Sequence, residues 1–208
     1  MKTTTCLQRP AAVGLTGGMG SGKSSVGRFW QQRYGIEYID ADRVCRELLQ
    51  PQAAGWQALT GEFDDLFLAA DRTVDRPLLR RAIFGDATLR QRLNDLIHPL
   101  ARQEIRRRIS AAAAPGFLVE VPLLFEAGWA GEFDRTVVVY ALPSLCRDRL
   151  MARDGIDAAE AIRAIAVQFP LDNKALLADH VIDNSGTWQD TCLQLLHLGE
   201  MIWGGAKL

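Results

Sequence analysis

Gly17-Gly18-Met19-Gly20-Ser21-Gly22-Lys23-Ser24 follows the pattern GxxxxGK[ST], a spacing suited to holding phosphate groups. Glycines let such a loop curl so that consecutive backbone N–H groups point inward, and the start of a following helix adds positive charge at the same spot. Gly18, Gly20, Ser21 and Gly22 would supply the amides, Lys23 would reach the β- and γ-phosphates, Ser24 would ligate magnesium, and Ser25 would support the turn. The chain has only four lysines among 24 basic side chains, and one of them stands here. A nucleoside triphosphate with magnesium is the expected ligand.

Binding a triphosphate does not decide what becomes of it. A guanine-reading Asn-Lys-x-Asp segment is missing, because Asn173-Lys174 is followed by Ala175-Leu176; Asp183-Asn184-Ser185-Gly186 fits DxxG but falls too late in the chain for a switch. A small-molecule kinase needs a carboxylate near the acceptor hydroxyl, a basic clamp on the moving phosphoryl group and a cover against water. Asp40-Ala41-Asp42 closes the second expected strand, at the edge where ligands bind in open α/β sheets; either carboxylate could face a site, cap the next helix, or do both. Arg149 and Arg153 are four apart on one expected helix and share a face, so they could offset γ-phosphate charge or pair with Asp148 and Asp154. His98-Pro99 is expected to start a helix inside a long insertion, where the imidazole could contact a ligand or simply pack; Arg102 lies one turn beyond. Arg106, Arg107 and Arg108 read as a wet helix face. Glu120, Glu126 and the Pro122-Leu123-Leu124-Phe125 run are expected to line an acceptor cleft, the apolar part forming its wall.

Short apolar runs alternate with longer helical patterns, which predicts an α/β fold with a parallel sheet covered by helices. Strands are expected over 11–16, 37–40, 116–121, 135–139 and 181–182, and helices over 23–34, 42–49, 53–63, from 77, 86–96, 98–113, 143–153, 157–168 and 187–203. Residues 64–75 read as a loop, and about 42–115 is long enough to form a helical insertion. With 208 residues, 48% of them hydrophobic and 24% charged, the composition excludes disordered, collagenous and membrane-spanning chains. A core of this size needs no disulfide or structural metal, and Cys6, Cys45, Cys146 and Cys192 form no CxxC pair, so reduced thiols are expected. Net charge -1 gives no global field for nucleic acid or anionic lipid, and neither partner is expected. No signal peptide is visible near the N-terminus, and the longest apolar stretch, 117–125, is broken by Glu120 and Pro122. A cytoplasmic protein acting on a small molecule is the expectation, as a monomer with an oligomer left open by the sequence.

Taken in order, these segments resemble the dephospho-CoA kinase family. The glycine loop from Leu15 to Ser24 looks like its P-loop, Asp40-Ala41-Asp42 with Arg46 resembles its DAD...R segment, and His98-Pro99-Leu100 its HPL signature. Pro122-Leu123-Leu124-Phe125-Glu126 resembles its PLL.E segment and Arg149 with Arg153-Asp154 its lid arginines, while Gln168, Lys174, Ala178-Asp179 and 181–184 resemble its closing segment. The resemblance implies ATP-dependent phosphorylation of the ribose 3'-hydroxyl of dephospho-CoA, the last step of coenzyme A synthesis. It also implies a P-loop three-layer fold with a five-stranded parallel sheet (core 11–41 and 116–208), a helical CoA-binding insertion (about 42–115), a lid (about 143–170) and a tail over 1–10. Asp42 carries over as the base and Lys23, Arg149 and Arg153 as the other catalytic groups, with Arg46, His98, Arg102, Leu123 and Glu126 on the acceptor. Ala164 departs from the family's pattern, which carries Arg there; Arg163 is one place off.

Overall fold

Residues 10–204 are described in the computed structural model of the chain, apart from the side chain of Phe84. Residues 1–9, which include Cys6 and most of the expected tail, and 205–208 lie outside the described residues. Five strands, β1 (Ala11–Gly17), β2 (Glu37–Asp40), β3 (Gly116–Glu120), β4 (Arg135–Tyr140) and β5 (His180–Asp183), form one sheet in the order β2-β3-β1-β4-β5. β1 is central and runs parallel to β3 and β4, with Leu15 opposite Glu120 on one side and Val137 on the other. Its near-continuous apolar run is the pattern of a strand covered on both faces.

Val13, Leu15, Leu118, Val137, Val139 and Ile182 meet α1 (Lys23–Tyr34) and α9 (Trp188–Trp203), which contribute Val26, Trp30, Leu195, Leu198 and Trp203 to one core. Trp30 is fully buried, stands edge-on to Trp203 with ring centroids 5.3 Å apart, and donates its indole N–H to the Leu195 carbonyl at 2.9 Å. That bond satisfies the ring's one polar atom. On Gly14 a Cβ would stand 2.5 Å from Phe133 and 2.7 Å from Leu124, so glycine lets these side chains close on the strand. α6 (Pro143–Asp154), α7 (Ala158–Ala166) and α8 (Leu171–Leu177) lie between β4 and β5 in sequence. α8 is absent from the sequence expectations because it has no apolar stripe: Leu176 and Leu177 are exposed and its one buried residue is Lys174.

The chain divides into two compact units, Met1–Ile39 with Ala113–Leu208, and Asp40–Ala112. The first carries the sheet. The second holds α2 (Ala41–Leu48), α3 (Ala54–Phe63), α4 (Arg76–Gly85) and α5 (Ala87–Ala111), around its own core of Leu59, Phe67, Val74, Leu79, Leu93 and Ile97. Asp75 and Asp86 accept hydrogen bonds from the first-turn amides of α4 and α5, fixing where each helix begins.

The expected break at His98-Pro99 does not occur. α5 is one helix of 25 residues with Pro99 inside it. Proline removes one N–H and costs about 3 kcal/mol in a helix interior. Leu93, Ile97, Ala101 and Ile105 are all buried at four-residue spacing across the proline, and packing of this single stripe outweighs the lost bond. His98 is therefore a mid-helix residue and not a helix start.

Leu15→Ala removes a fully buried side chain from the central strand and should destabilise the protein by about 2–5 kcal/mol. Urea unfolding checks this: the midpoint should fall with the slope unchanged.

Candidate active site

Between β1 and α1 the backbone takes positive φ at Gly20 (76°) and Gly22 (101°). Both positions also have no room for a side chain: a Cβ on Gly20 would collide with the Cys146 carbonyl, and one on Gly22 with the Asn184 amide. Asn184 Nδ2 donates to the Ser21 carbonyl at 2.8 Å, and Asn184 Oδ1 accepts from Thr191 Oγ1 at 3.0 Å. Met19 N donates to Gln168 Oε1 at 3.2 Å. The curl is thus held from outside by α6, the β5–α9 turn and the linker between α7 and α8. α1 begins without a side-chain cap and without an acidic residue in its first turn, so neither neutralises the positive charge at its start. Lys23 Nζ donates to the Gly17 and Gly18 carbonyls at 3.3 and 3.0 Å, which sets the ammonium over the loop.

Ser24 Oγ donates to Glu120 Oε1 at 3.4 Å, and the buried Glu120 also accepts from the Tyr38 hydroxyl through Oε2. Glu120 thus faces the loop's serine from the end of β3. A hydroxyl and a carboxylate oxygen at this separation suit a magnesium ion that completes its shell with phosphates and water. Among the described residues no group of three or more His, Cys, Asp or Glu could hold a metal ion.

The remaining expected residues fall in several places. Ser25 is exposed. Leu123 is 42% exposed, whereas Glu126 Oε1 accepts from the Lys174 ammonium at 2.8 Å and from Phe169 N at 3.1 Å. Arg149 donates through Nη2 to the Asn184 carbonyl at 3.1 Å and lines a cavity of ≈ 550 Å³ with Gly22, Ser25, Arg28, Phe29 and Trp188. Its Nη1 is buried and lacks a partner. Arg153 forms a two-pronged pair with Asp154, and Arg147 pairs with Asp148.

In the helical unit, Asp40 is the cap of α2, accepting from Arg43 N at 3.1 Å with the Arg46 guanidinium 3.6 Å away. Asp42 sits in the helix's first turn, exposed, with its carboxylate not used as that cap. Burial, then Asp42 and Asp40, pushes the Cys45 thiol up to about 11, so it stays protonated near neutrality. Burial and the neighbouring Arg102 hold His98 below the usual histidine value against the pull of Asp95, so its imidazole is neutral at pH 7 and able both to donate and to accept. Asn184, Lys174 and Trp188 had no individual role in the sequence expectations. Asn184 carried one weak signal: it directly follows the strand whose end borders the loop.

A glycine loop closed by lysine, between the central strand of a five-stranded α/β sheet and its first helix, defines a P-loop nucleotide-binding protein of the small-molecule-kinase architecture. The family model for dephospho-CoA kinase (CoaE) matches residues 11–190. A dephospho-CoA kinase from Carboxydothermus hydrogenoformans is 40% identical over 88% of this chain and 90% of its own, and one from Geobacter metallireducens is 39% identical over 89% and 94%. A crystal structure from Thermus thermophilus, TT1252, superposes with a TM-score of 0.78 at 29% identity over 92% of this chain and 97% of its own. The chain belongs to the dephospho-CoA kinase family, whose reaction is the final step of coenzyme A biosynthesis. A shikimate kinase from Bacteroides thetaiotaomicron, TM-score 0.53 at 15% identity over 92% of this chain and 98% of its own, shares the fold.

Gly20→Ala should weaken ATP binding about tenfold or more, since strain and collision of 1–3 kcal/mol fall on the loop itself. Gly35→Ala, at a positive φ in open space, should leave the affinity within about twofold; calorimetric titration compares the two. For His98 the unfolded chain binds the proton more tightly, near pH 6.5, so this group's contribution to stability falls as pH drops through and below that value. His98→Gln should flatten the dependence of Tm on pH between about 7.5 and 5.

Proposed function

We propose that the protein transfers the γ-phosphoryl group of ATP to the ribose 3'-hydroxyl of dephospho-CoA, giving coenzyme A. The observation that carries this reading is the loop at residues 17–24, with Lys23 folded over it and Ser24 beside Glu120. Amides of Gly18, Gly20, Ser21, Gly22, Lys23 and Ser24 bind the phosphates, and the nucleoside end lies in the cavity that begins at Gly22, where Arg149 has an unpartnered nitrogen. Magnesium, held by Ser24 and Glu120, would neutralise charge on the β- and γ-phosphate oxygens.

Asp42 accepts the proton of the acceptor hydroxyl, or orients it, as the phosphoryl group passes in line through a loose transition state. Asp40 serves as the helix cap of α2, and in this reading Asp42, in the first turn of the same helix, takes the chemical role. Lys23 and Arg149 spread the charge; Arg153 joins them by exchanging the Asp154 carboxylate for a phosphate oxygen. Arg46, His98, Arg102 and Leu123 are the residues assigned to the acceptor in this reading, and Glu126 contributes by fixing the 122–126 loop. Residues 143–170 act as the lid that excludes water. No helix among the described residues is long and apolar enough to cross a membrane, and we place the enzyme in the cytoplasm, as a monomer.

Steady-state kinetics test these roles. Asp42→Asn should lower kcat by about 10²-fold or more with ATP affinity nearly intact, whereas Lys23→Ala should weaken both. ATP turnover that responds to nucleoside monophosphates or small polyols, and not to dephospho-CoA, would refute the assignment.

A further inference from the structure

Two consecutive residues between α7 and α8 reach opposite sides of the site. Gln168 takes the amide proton of Met19 in the phosphate loop at 3.2 Å, and Phe169 gives its own to Glu126 at 3.1 Å. Glu126 is anchored in turn by Lys174, which is fully buried and also donates to the Pro122 carbonyl at 2.8 Å. Thr16 Oγ1, on the strand that feeds the phosphate loop, donates to the same carbonyl at 3.1 Å.

A buried ammonium is costly unless its partners are good, and packing at this position of α8 could be met by an apolar residue of similar length. What the lysine adds is direction. It fixes a carboxylate and a carbonyl of one loop, and that carboxylate fixes the backbone one residue from Gln168. We infer that the Gln168-Phe169 linker is a strap that presets the phosphate loop, and that Lys174 is the positioning residue that sets the strap. The strap leaves Lys23 and the amides of Gly20 and Gly22 to the nucleotide while pinning the loop one residue upstream, at Met19. It also makes the phosphate loop and the 122–126 loop share one anchor, so that a disturbance at either is felt by the other. Its role in ATP binding rests on the function proposed above; the tether itself does not.

The full-length, nucleotide-free protein is the starting point of the test. NMR-detected hydrogen exchange of the Met19 amide should speed up about three- to tenfold in Gln168→Ala, the range expected for one lost hydrogen bond. The double variant Lys174→Met/Glu126→Gln removes both charges and leaves none unpaired, and it should act in the same direction. ATP affinity should fall by a similar factor in each, and combining all three substitutions should cost no more than the larger effect alone. Unchanged Met19 exchange in Gln168→Ala overturns the strap even if the charge-free pair fails to fold, and fully additive losses overturn the role of Lys174. Faster exchange with unaltered ATP affinity would leave the tether standing and refute instead the reading of the loop as the ATP site.

Discussion

Apart from the Lys23 bonds to the Gly17 and Gly18 carbonyls, the phosphate loop has almost no side-chain contacts with which to hold its own shape, and much of its curvature is imposed from outside. The Cys146 carbonyl occupies the space beside Gly20, and the Asn184 amide fills the space beside Gly22 while gripping the Ser21 carbonyl. Gln168 takes the Met19 amide. These three partners come from the last third of the chain, so a motif that reads as local in sequence depends on long-range folding. In exchange the amides are set before any ligand arrives, which lowers the ordering cost of binding a highly charged group.

The same economy governs the acidic residues. Asp40 caps α2, Glu120 accepts from Ser24, and Glu126 is bound to Lys174. Three carboxylates that look alike in sequence thus receive a helix start, the hydroxyl of the phosphate loop and a buried anchor. The division follows backbone position. Glu120, ending β3, faces the loop; Asp40, ending β2, starts the next helix; and Glu126, six residues past Glu120, turns back against α8.

The loop and the five strands were legible because period and glycine spacing are local signals: the apolar runs at 11–16, 116–121 and 135–139 each became a buried strand. What escaped depends on tertiary context. His98-Pro99 reads as the start of a new helix, yet the buried stripe from Leu93 to Ile105 carries α5 straight through it. α8 was invisible because its inward residue is a lysine, made tolerable only by Glu126 and the Pro122 carbonyl, neither of which is near in sequence. Asn184 could be noticed as part of a misplaced DxxG, of the family's closing segment or as the residue after a strand, but its contacts with Ser21 and Thr191 give no pattern that spacing can show.

Backbone amide resonances followed by NMR during titration with ATP and magnesium ask most directly whether a preset curl of main-chain N–H groups grips the triphosphate. The amides of Gly20, Gly22, Lys23 and Ser24 should shift saturably and with a common midpoint. Shifts confined to other segments, with these four unmoved at saturation, would contradict the account.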